Sequence, residues 1–485
     1  MNNHRLIALL LLPLFAHGQN NLITRPDLQV YYDFEETSAT GLDNKAPGAT
    51  LYDATRYGGG SFNSSANPSG PGFSGNAAFN GGDGLSNRGT LIVGNSLNLV
   101  DGRGDAITVG VGTASLGQVF TISLWHALTP GAANNSDRYH AFEAVNNFDV
   151  SWGTGSVATT TGPYGSYNTL GYVGGSTNAG TQQNLSTGAW HHTAHVFTTS
   201  GANTTLTLYT DGVLRGSFTV ATSTMDFSGV NFGRERSSPD PTGDRDWDGM
   251  LDETSIWNRG LSSAEVASLY SLGQAGLPLN FTTEEKANNL TALGTGSSWS
   301  SAATPATGEV AVFNSTYAQS GTLPVAAPIN LSGLQVTSGS TLIDIGNASN
   351  AITLGPRGLD MSTAARDLTI ANLAVSGNQI WDVASSRTLT AGALAGSSQV
   401  FKQGAGSVVL NGSSSFGGTF NITAGTVQLA GGAALGDTTA VVMSNTAGAV
   451  LQLNQSERIG SLSGGGTSGG NVNLQAYTMT VGDSS

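Results

Sequence analysis

In the second half of this chain the apolar residues come in runs of a few residues, too short for a helix. Ser407-Val-Val-Leu410, Phe420-Asn-Ile422, Thr426-Val-Gln-Leu429, Ala440-Val-Val-Met443 and Val450-Leu-Gln-Leu453 are each bounded by turn residues, and Val472-Asn-Leu474 and Met479-Thr-Val481 continue the series. A globular helix needs roughly 8–20 residues of 3.6-residue periodicity; runs this short, bounded by Gly, Ser, Asn and Thr, read as strands. Their recurrence at intervals of roughly 7–20 residues predicts a right-handed parallel β-solenoid, in which each rung buries its apolar side chains against the next. The competing reading is a disordered Gly/Ser linker, which would not keep apolar alternation this regular. Glycine, at 68 of 485 residues, supplies the turns. Charged residues are 10% of the chain, against about 25% in ordinary globular proteins.

Residues 22–279 have a different texture. They hold Trp125, Trp152, Trp190, Trp247 and Trp257, and longer strand patterns. Phe120, Ile122 and Leu124 alternate on one face. Thr205 to Leu214 reads as two strands joined by Asp211-Gly212, a strong short-range hairpin signal. Ser262-Ser-Ala-Glu265 is a capping box, and Val266, Leu269 and Tyr270 follow at helical spacing. The prediction is a sandwich of antiparallel sheets closed by one short helix, so the fold class is all-β. Gly273-Gln-Ala-Gly-Leu-Pro-Leu279 marks the end of this part, and residues 280–485 form the repeat region.

Six blocks appear in a telling order. They are Val30-Tyr-Tyr-Asp-Phe-Glu-Glu36, Gly75-Asn-Ala-Ala-Phe-Asn-Gly-Gly82, Val119-Phe-Thr-Ile-Ser-Leu-Trp125, Gly188-Ala-Trp-His-His-Thr-Ala194, Leu208-Tyr-Thr-Asp-Gly-Val-Leu214 and the stretch from Trp247 to Ser262. Together they resemble the laminin-G-like jelly-roll family, of the concanavalin-A-like sandwich type. That resemblance implies an extracellular, usually non-catalytic module that binds carbohydrate or protein, often with one structural calcium. Lys402 to Gly412, Phe416 to Leu429 and Ala434-Leu-Gly436 resemble the autotransporter-associated β-strand repeat; Asn378 to Val383 and Arg387-Thr-Leu-Thr390 fit the stretch that precedes such a repeat. No membrane β-barrel pattern follows. The expectation is that the sequence is the front part of a longer surface protein.

Residues 1–18 read as a secretory signal peptide: His4-Arg5, the apolar run Leu6 to Phe15, then Ala16-His17-Gly18 at the cleavage site. The run is too short for a membrane span, which needs about 20 apolar residues. The mature chain is therefore expected to be secreted or at the cell surface. Eighteen basic residues face 32 acidic ones, for a net charge of −14. That balance offers no cationic surface for phosphates or anionic lipids, so neither nucleic acid nor membrane insertion is expected. Cysteine is absent, which excludes disulfides, thiolate metal sites and a cysteine nucleophile.

Chemistry-bearing residues are sparse. Asp244, Asp246, Asp248 and Gly249 match the front of an EF-hand loop, and Asp252 would take position nine, but Ser255 stands where a bidentate Glu belongs. The family resemblance instead implies that an aspartate of the last sandwich strand and a residue of the first hold a calcium. Asp252 and Glu35 are the best candidates, with Asp33 and Asp248 beside them. The alternative is solvated turn carboxylates with no ion. His191 and His195 share a strand face about 13 Å apart, while His192 points the other way, so one metal cannot take all three. A concanavalin-A-like glucanase needs clustered carboxylates on one strand face. Glu35-Glu36 and Asp252-Glu253 are adjacent and would point to opposite faces, and no nucleophile elbow or P-loop appears. No catalytic residues are assigned. Trp152, Tyr164, Tyr167 and Tyr172 lie in a Gly-rich stretch read as loop, where rings either stack on sugars or pack internally.

The sequence therefore predicts a non-catalytic surface adhesin or glycan-binding protein, its jelly roll recognising an extracellular glycan or surface protein from a solenoid stalk. The alternatives are the non-catalytic front of a secreted polysaccharide-degrading enzyme, and a purely structural surface or matrix protein.

Overall fold

The computed structural model of the protein describes residues 27–34, 44–47, 55–57, 97–99, 106–128, 140–144, 147–154, 166–173, 176–177, 184–186, 190–221, 226–233, 249–346 and 349–482. The expected signal peptide, together with Glu35 and Asp248, lies outside them. Among the described residues no helix is long and apolar enough to cross a membrane, which has no bearing on β-barrels.

The N-terminal part is two antiparallel sheets face to face. In the first, Leu28–Tyr32 pairs with Gly249–Trp257, then Val119–Leu128, His191–Ser200, Asn203–Thr210 and Val213–Ala221 follow in order. In the second the order is Asn184–Ser186, Ser166–Val173, Asn147–Thr154, His140–Ala144, Val230–Phe232, Ala106–Val109 and Thr55–Tyr57. The alternation read from the sequence sets the core. Phe120, Ile122, Leu124, Phe197, Leu206, Leu251 and Ile256 from the first sheet meet Phe142, Val230 and Phe232 from the second. The hairpin turn is where Asp-Gly placed it: Asp211 and Gly212 have φ of 51° and 74°, the left-handed pair that matches the twist of the flanking strands.

One reading changes. Trp152 and the pair Tyr167 and Tyr172 belong to the paired strands Asn147–Thr154 and Ser166–Val173, not to a loop; Tyr164 lies outside the described residues. The intervening glycines mask the pattern, because sheet pairing overrides a weak local propensity.

The first sheet is buried on both faces. Its outer side chains Tyr31, Ala194, Val196, Tyr209 and Trp257 pack against Val266, Leu269 and Leu272 of the helix Ser263–Gln274. That helix opens with the capping box: Ser262 Oγ accepts from Glu265 N at 3.3 Å, and Glu265 Oε2 accepts from Ser262 N at 2.9 Å.

From Thr283 onward every strand-to-strand pairing among the described residues is parallel, with one isolated antiparallel bridge between Lys286 and Trp299. Seventeen strands form one wound sheet, a β-solenoid of about eight turns. Inside it, successive rungs stack like on like: Val408, Val427 and Leu451 share one column, and Leu410, Leu429 and Leu453 another. Hydrogen bonds that cross from one rung to the next link residues 21 apart, as in Asn421 Nδ2 to Val400 O and Thr423 Oγ1 to Lys402 O.

Four cations are drawn inside the solenoid where the chain turns. Lys286 Nζ donates to the carbonyls of Ala287 and Asn289 and to Asn289 Oδ1. Lys402 Nζ donates to the carbonyls of Gln403, Gly404 and Ala424. Arg366 binds the carbonyls of Tyr317 and Asn314, and Arg357 those of Gly308 and Pro278. Corner carbonyls fall outside the ladders, and a buried carbonyl without a donor is costly. Burial lowers both lysines to about 8.

Gly273 lets the helix lie flat on Trp125. A Cβ there would stand 2.4 Å from the indole ring. Gly273→Ala should lower stability by about 1–2 kcal/mol in urea unfolding, because overpacking outweighs the gain in helix propensity. An unchanged or higher midpoint would refute this packing.

Candidate functional site: the carboxylate end of the sandwich and its joint to the solenoid

The first and last strands of the sandwich are neighbours. Tyr31 pairs with Ser255 and Tyr32 with Thr254, which carries Asp33 alongside the segment holding Asp252 and Glu253. Asp33 therefore follows the first strand at the level of Glu253, next to Asp252 along the last strand. Asp252 is buried, with Oδ1 accepting from the Glu253 amide at 2.8 Å. Asp33 is partly buried and its charge reaches the Tyr31 hydroxyl.

The simple opposite-faces rule fails at Glu253. The ladder with Val119–Leu128 slips between Asp252 and Ser255, and Glu253 takes a positive φ of 46°. This bulge re-aims the side chain. Glu253 accepts from Tyr31 Oη at 2.9 and 2.7 Å and from Leu279 N at 3.2 Å. Burial, followed by the Glu253 and Asp33 charges, pushes the Tyr31 hydroxyl well above its ordinary range. Sequence reasoning missed this carboxylate because a bulge has no signal at two adjacent acids.

Whether the site fits a calcium turns on its donors. Hard cations such as Ca²⁺ take six to eight oxygens, several of them carboxylate. Glu253 is already engaged by Tyr31 and Leu279. Among the described residues no group of three His, Cys, Asp or Glu is placed to hold a metal. Of the four predicted ligands, Asp33 and Asp252 lie among the described residues, and Glu35 and Asp248 fall outside them.

The same corner is the joint between the two parts. Arg357 of the solenoid, 3% exposed, donates to Pro278 O at 2.6 Å and Asn280 O at 3.2 Å and lies 4.5 Å over the Phe281 ring. The connecting residues 278–280 are thus gripped by Glu253 and Tyr31 from the sandwich and by Arg357 from the solenoid. Beside them the helix turns its small residues outward: Ala264 and Ala267 pack on Ile380 and Phe401, and Asn378 N donates to Ser271 Oγ at 3.0 Å.

Two carboxylates of the solenoid sit under this contact. Asp360 pairs in register with Asp382 and is held by Gln335 Nε2 at 2.8 Å and Ser362 Oγ at 2.6 Å. Burial, then the Asp360 charge, pushes Asp382 up to about 6.

The histidines divide between partners. His191 Nδ1 lies 3.0 Å from Asp211 Oδ2, and His192 Nε2 lies 2.9 Å from Ser123 Oγ. His195 enters the sandwich core edge-on to Phe142, with ring centroids 5.0 Å apart. Burial first, and neighbouring imidazoles second, keeps His126 neutral well below its ordinary range. Burial lowers His192 to about 4 and His195 to about 3.

Comparison with known proteins places these features. Residues 101–267 match the family profile described as the Concanavalin A-like lectin/glucanases superfamily, and residues 400–429 match the passenger-associated-transport-repeat. Both resemblances read from the sequence are thereby shown, over those residues. The chain is 37% identical over 103 residues to the adhesin BmaC autotransporter of Brucella suis biovar 1 (strain 1330), a stretch covering 21% of this chain and 3% of that protein. Solved structures include domain 4 of AbnA, a GH43 extracellular arabinanase from Geobacillus stearothermophilus. It is 14% identical with a TM-score of 0.30, covering 50% of this chain and 98% of that one. The botulinum neurotoxin serotype D binding domain is 14% identical with a TM-score of 0.32, covering 53% and 56%. Likenesses this distant add nothing to the functional reading.

The buried imidazoles set a pH dependence. Their folded pKa values are depressed, so the unfolded chain binds protons first. The stability is complete above about pH 6.5 and is lost as pH falls toward 4 and 3. His195→Leu should flatten the decline between pH 6 and 4 by about 1.4 kcal/mol per pH unit, measured by urea unfolding across that range. An unchanged slope would contradict a neutral His195 in the folded state.

Proposed function

We propose that the protein is an exported, non-catalytic surface adhesin whose sandwich is the recognition head and whose solenoid is the passenger stalk. The observation that carries this reading is the passenger-associated repeat lying within a parallel solenoid that holds a concanavalin-A-like sandwich at its N-terminal end. The adhesin relative supports it over a short stretch. The carboxylates described here favour a non-enzymatic role. Glu253 serves the joint, Glu265 is bound by Arg259 at 2.6 and 2.9 Å, and Asp360 and Asp382 are buried beneath the helix. Glycosidic cleavage needs two carboxyl groups facing a substrate.

The partner in this reading is an extracellular glycan or surface protein met by the sandwich, and the site of action is the cell surface or the medium. Beads coated with the full chain should adhere saturably to a panel of extracellular glycans and matrix proteins, with no release of reducing sugar. Reducing-sugar release, or an absence of adhesion to every surface, would overturn the proposal.

A structural calcium held by Asp252 and Glu35, with Asp33 and Asp248 beside them, belongs to the same reading. It would fasten the first strand to the last in a domain without disulfides. Calcium should then raise the unfolding midpoint of the full chain over a chelator control, by mass action on the folded state. Asp252→Ala should remove that rise. Equal midpoints with calcium and chelator would dismiss the ion and leave the adhesin reading standing.

A further inference from the structure

We infer that a groove on the solenoid, at its joint with the sandwich, is a binding site for a neutral saccharide. The groove encloses about 300 Å³, at the lower end of the 300–1,000 Å³ range of small-molecule sites. Its floor is three adjacent rungs, Ile329–Val336, Ile352–Met361 and Leu368–Val375.

Asn330 and Thr353 are register partners. With Ser332, Ser376 and Thr307 they line the groove with hydroxyl and amide groups. Among the described residues, no hydrogen bond within the protein engages the side chains of Asn330, Thr353 or Ser376. Ser332 is different, because its Oγ accepts from Gly308 N at 2.7 Å. Gly355 also lines the groove, and a Cβ there would stand 3.1 Å from the Ser332 carbonyl oxygen. Leu277, Pro305 and Pro356 form apolar walls.

Three features select the ligand class. First, no charged side chain lines the groove, and the chain carries a net charge of −14. A polyanion would be repelled, and neither a carboxylate nor an ammonium would find a counter-ion. Second, a peptide strand could not add to this surface by backbone pairing. The strand through Thr353 is already paired on both sides, with Asn330 in one neighbour and Ala374 in the other, and β-augmentation needs an open edge. Third, hydroxyl and amide groups both donate and accept. Spaced by rungs about 4.8 Å apart, beside apolar walls for the C–H faces, they complement a ring carrying several hydroxyls. The volume admits about one or two sugar rings.

The site does not depend on the adhesin reading. Isothermal titration of the full chain with neutral hexose and pentose oligosaccharides, and with acidic ones as a comparison, tests it. Saturable binding of a neutral oligosaccharide, weakened at least tenfold by Thr353→Trp with an unchanged unfolding midpoint, is the expected result. If Thr353→Trp fails to fold, the paired change Asn330→Ala with Ser376→Ala should weaken the same binding at least threefold. No neutral saccharide binding, a preference for acidic saccharides, or binding untouched by these substitutions would overturn the assignment. In the last case binding would move to the sandwich, and the adhesin reading would survive.

Discussion

The helix Ser263–Gln274 has almost no face left for water, and the arrangement of the whole molecule follows from that. Its large residues Val266, Leu269 and Leu272 cover the outer face of a sandwich sheet, while its small residues Ala264, Ala267 and Ser271 meet the solenoid. Large side chains on one stripe supply burial of about 1.5–3 kcal/mol each. Small ones on the other let strands approach closely. Sandwich and solenoid thereby share one element, and neither could lose the other without exposing part of its own packing.

The cations extend the same logic. A chain this poor in charge places two of its three lysines, Lys286 and Lys402, inside the solenoid. Arg357 and Arg366 are buried there too. Each spends its donors on main-chain carbonyls at corners. Breaking such a group is expensive because it strands both the charge and the carbonyls. At the joint, Arg357 and Glu253 hold consecutive residues of the connection from opposite sides. The link between sandwich and solenoid is therefore set by buried polar groups as well as by packing. A sandwich fixed in this way keeps its orientation along the solenoid.

Much of this architecture was legible in the sequence, for identifiable reasons. Asp211-Gly212 demanded left-handed φ values, and Ser262 with Glu265 formed a reciprocal cap. The short runs from Ser407 onward alternated too regularly for a disordered linker and read as strands. The second face of the helix was not legible, because alanine and serine carry no apolar periodicity. Nor were the buried cations, which read as surface charge until the corners that need them are known. Trp152, Tyr167 and Tyr172 were hidden among glycines that pair in a sheet. Of the predicted calcium ligands, Asp33 and Asp252 lie on the neighbouring first and last strands of the sandwich, and Glu35 and Asp248 lie outside the described residues. The sequence could not show that the bulge diverts Glu253 to Tyr31 and the connection. The groove by Thr353 had no linear signature, since its polar residues come together only when rungs more than twenty residues apart stack.

The central claim is that helix, sandwich sheet and solenoid rungs open together. Native-state hydrogen exchange on the full chain measures this directly, through the opening free energies of amides in Ser263–Gln274, His191–Ser200 and Gln379–Val383. The account predicts that the three segments share one opening free energy and one denaturant slope. A helix that exchanges through a separate, lower-energy opening while both neighbours stay protected would contradict it.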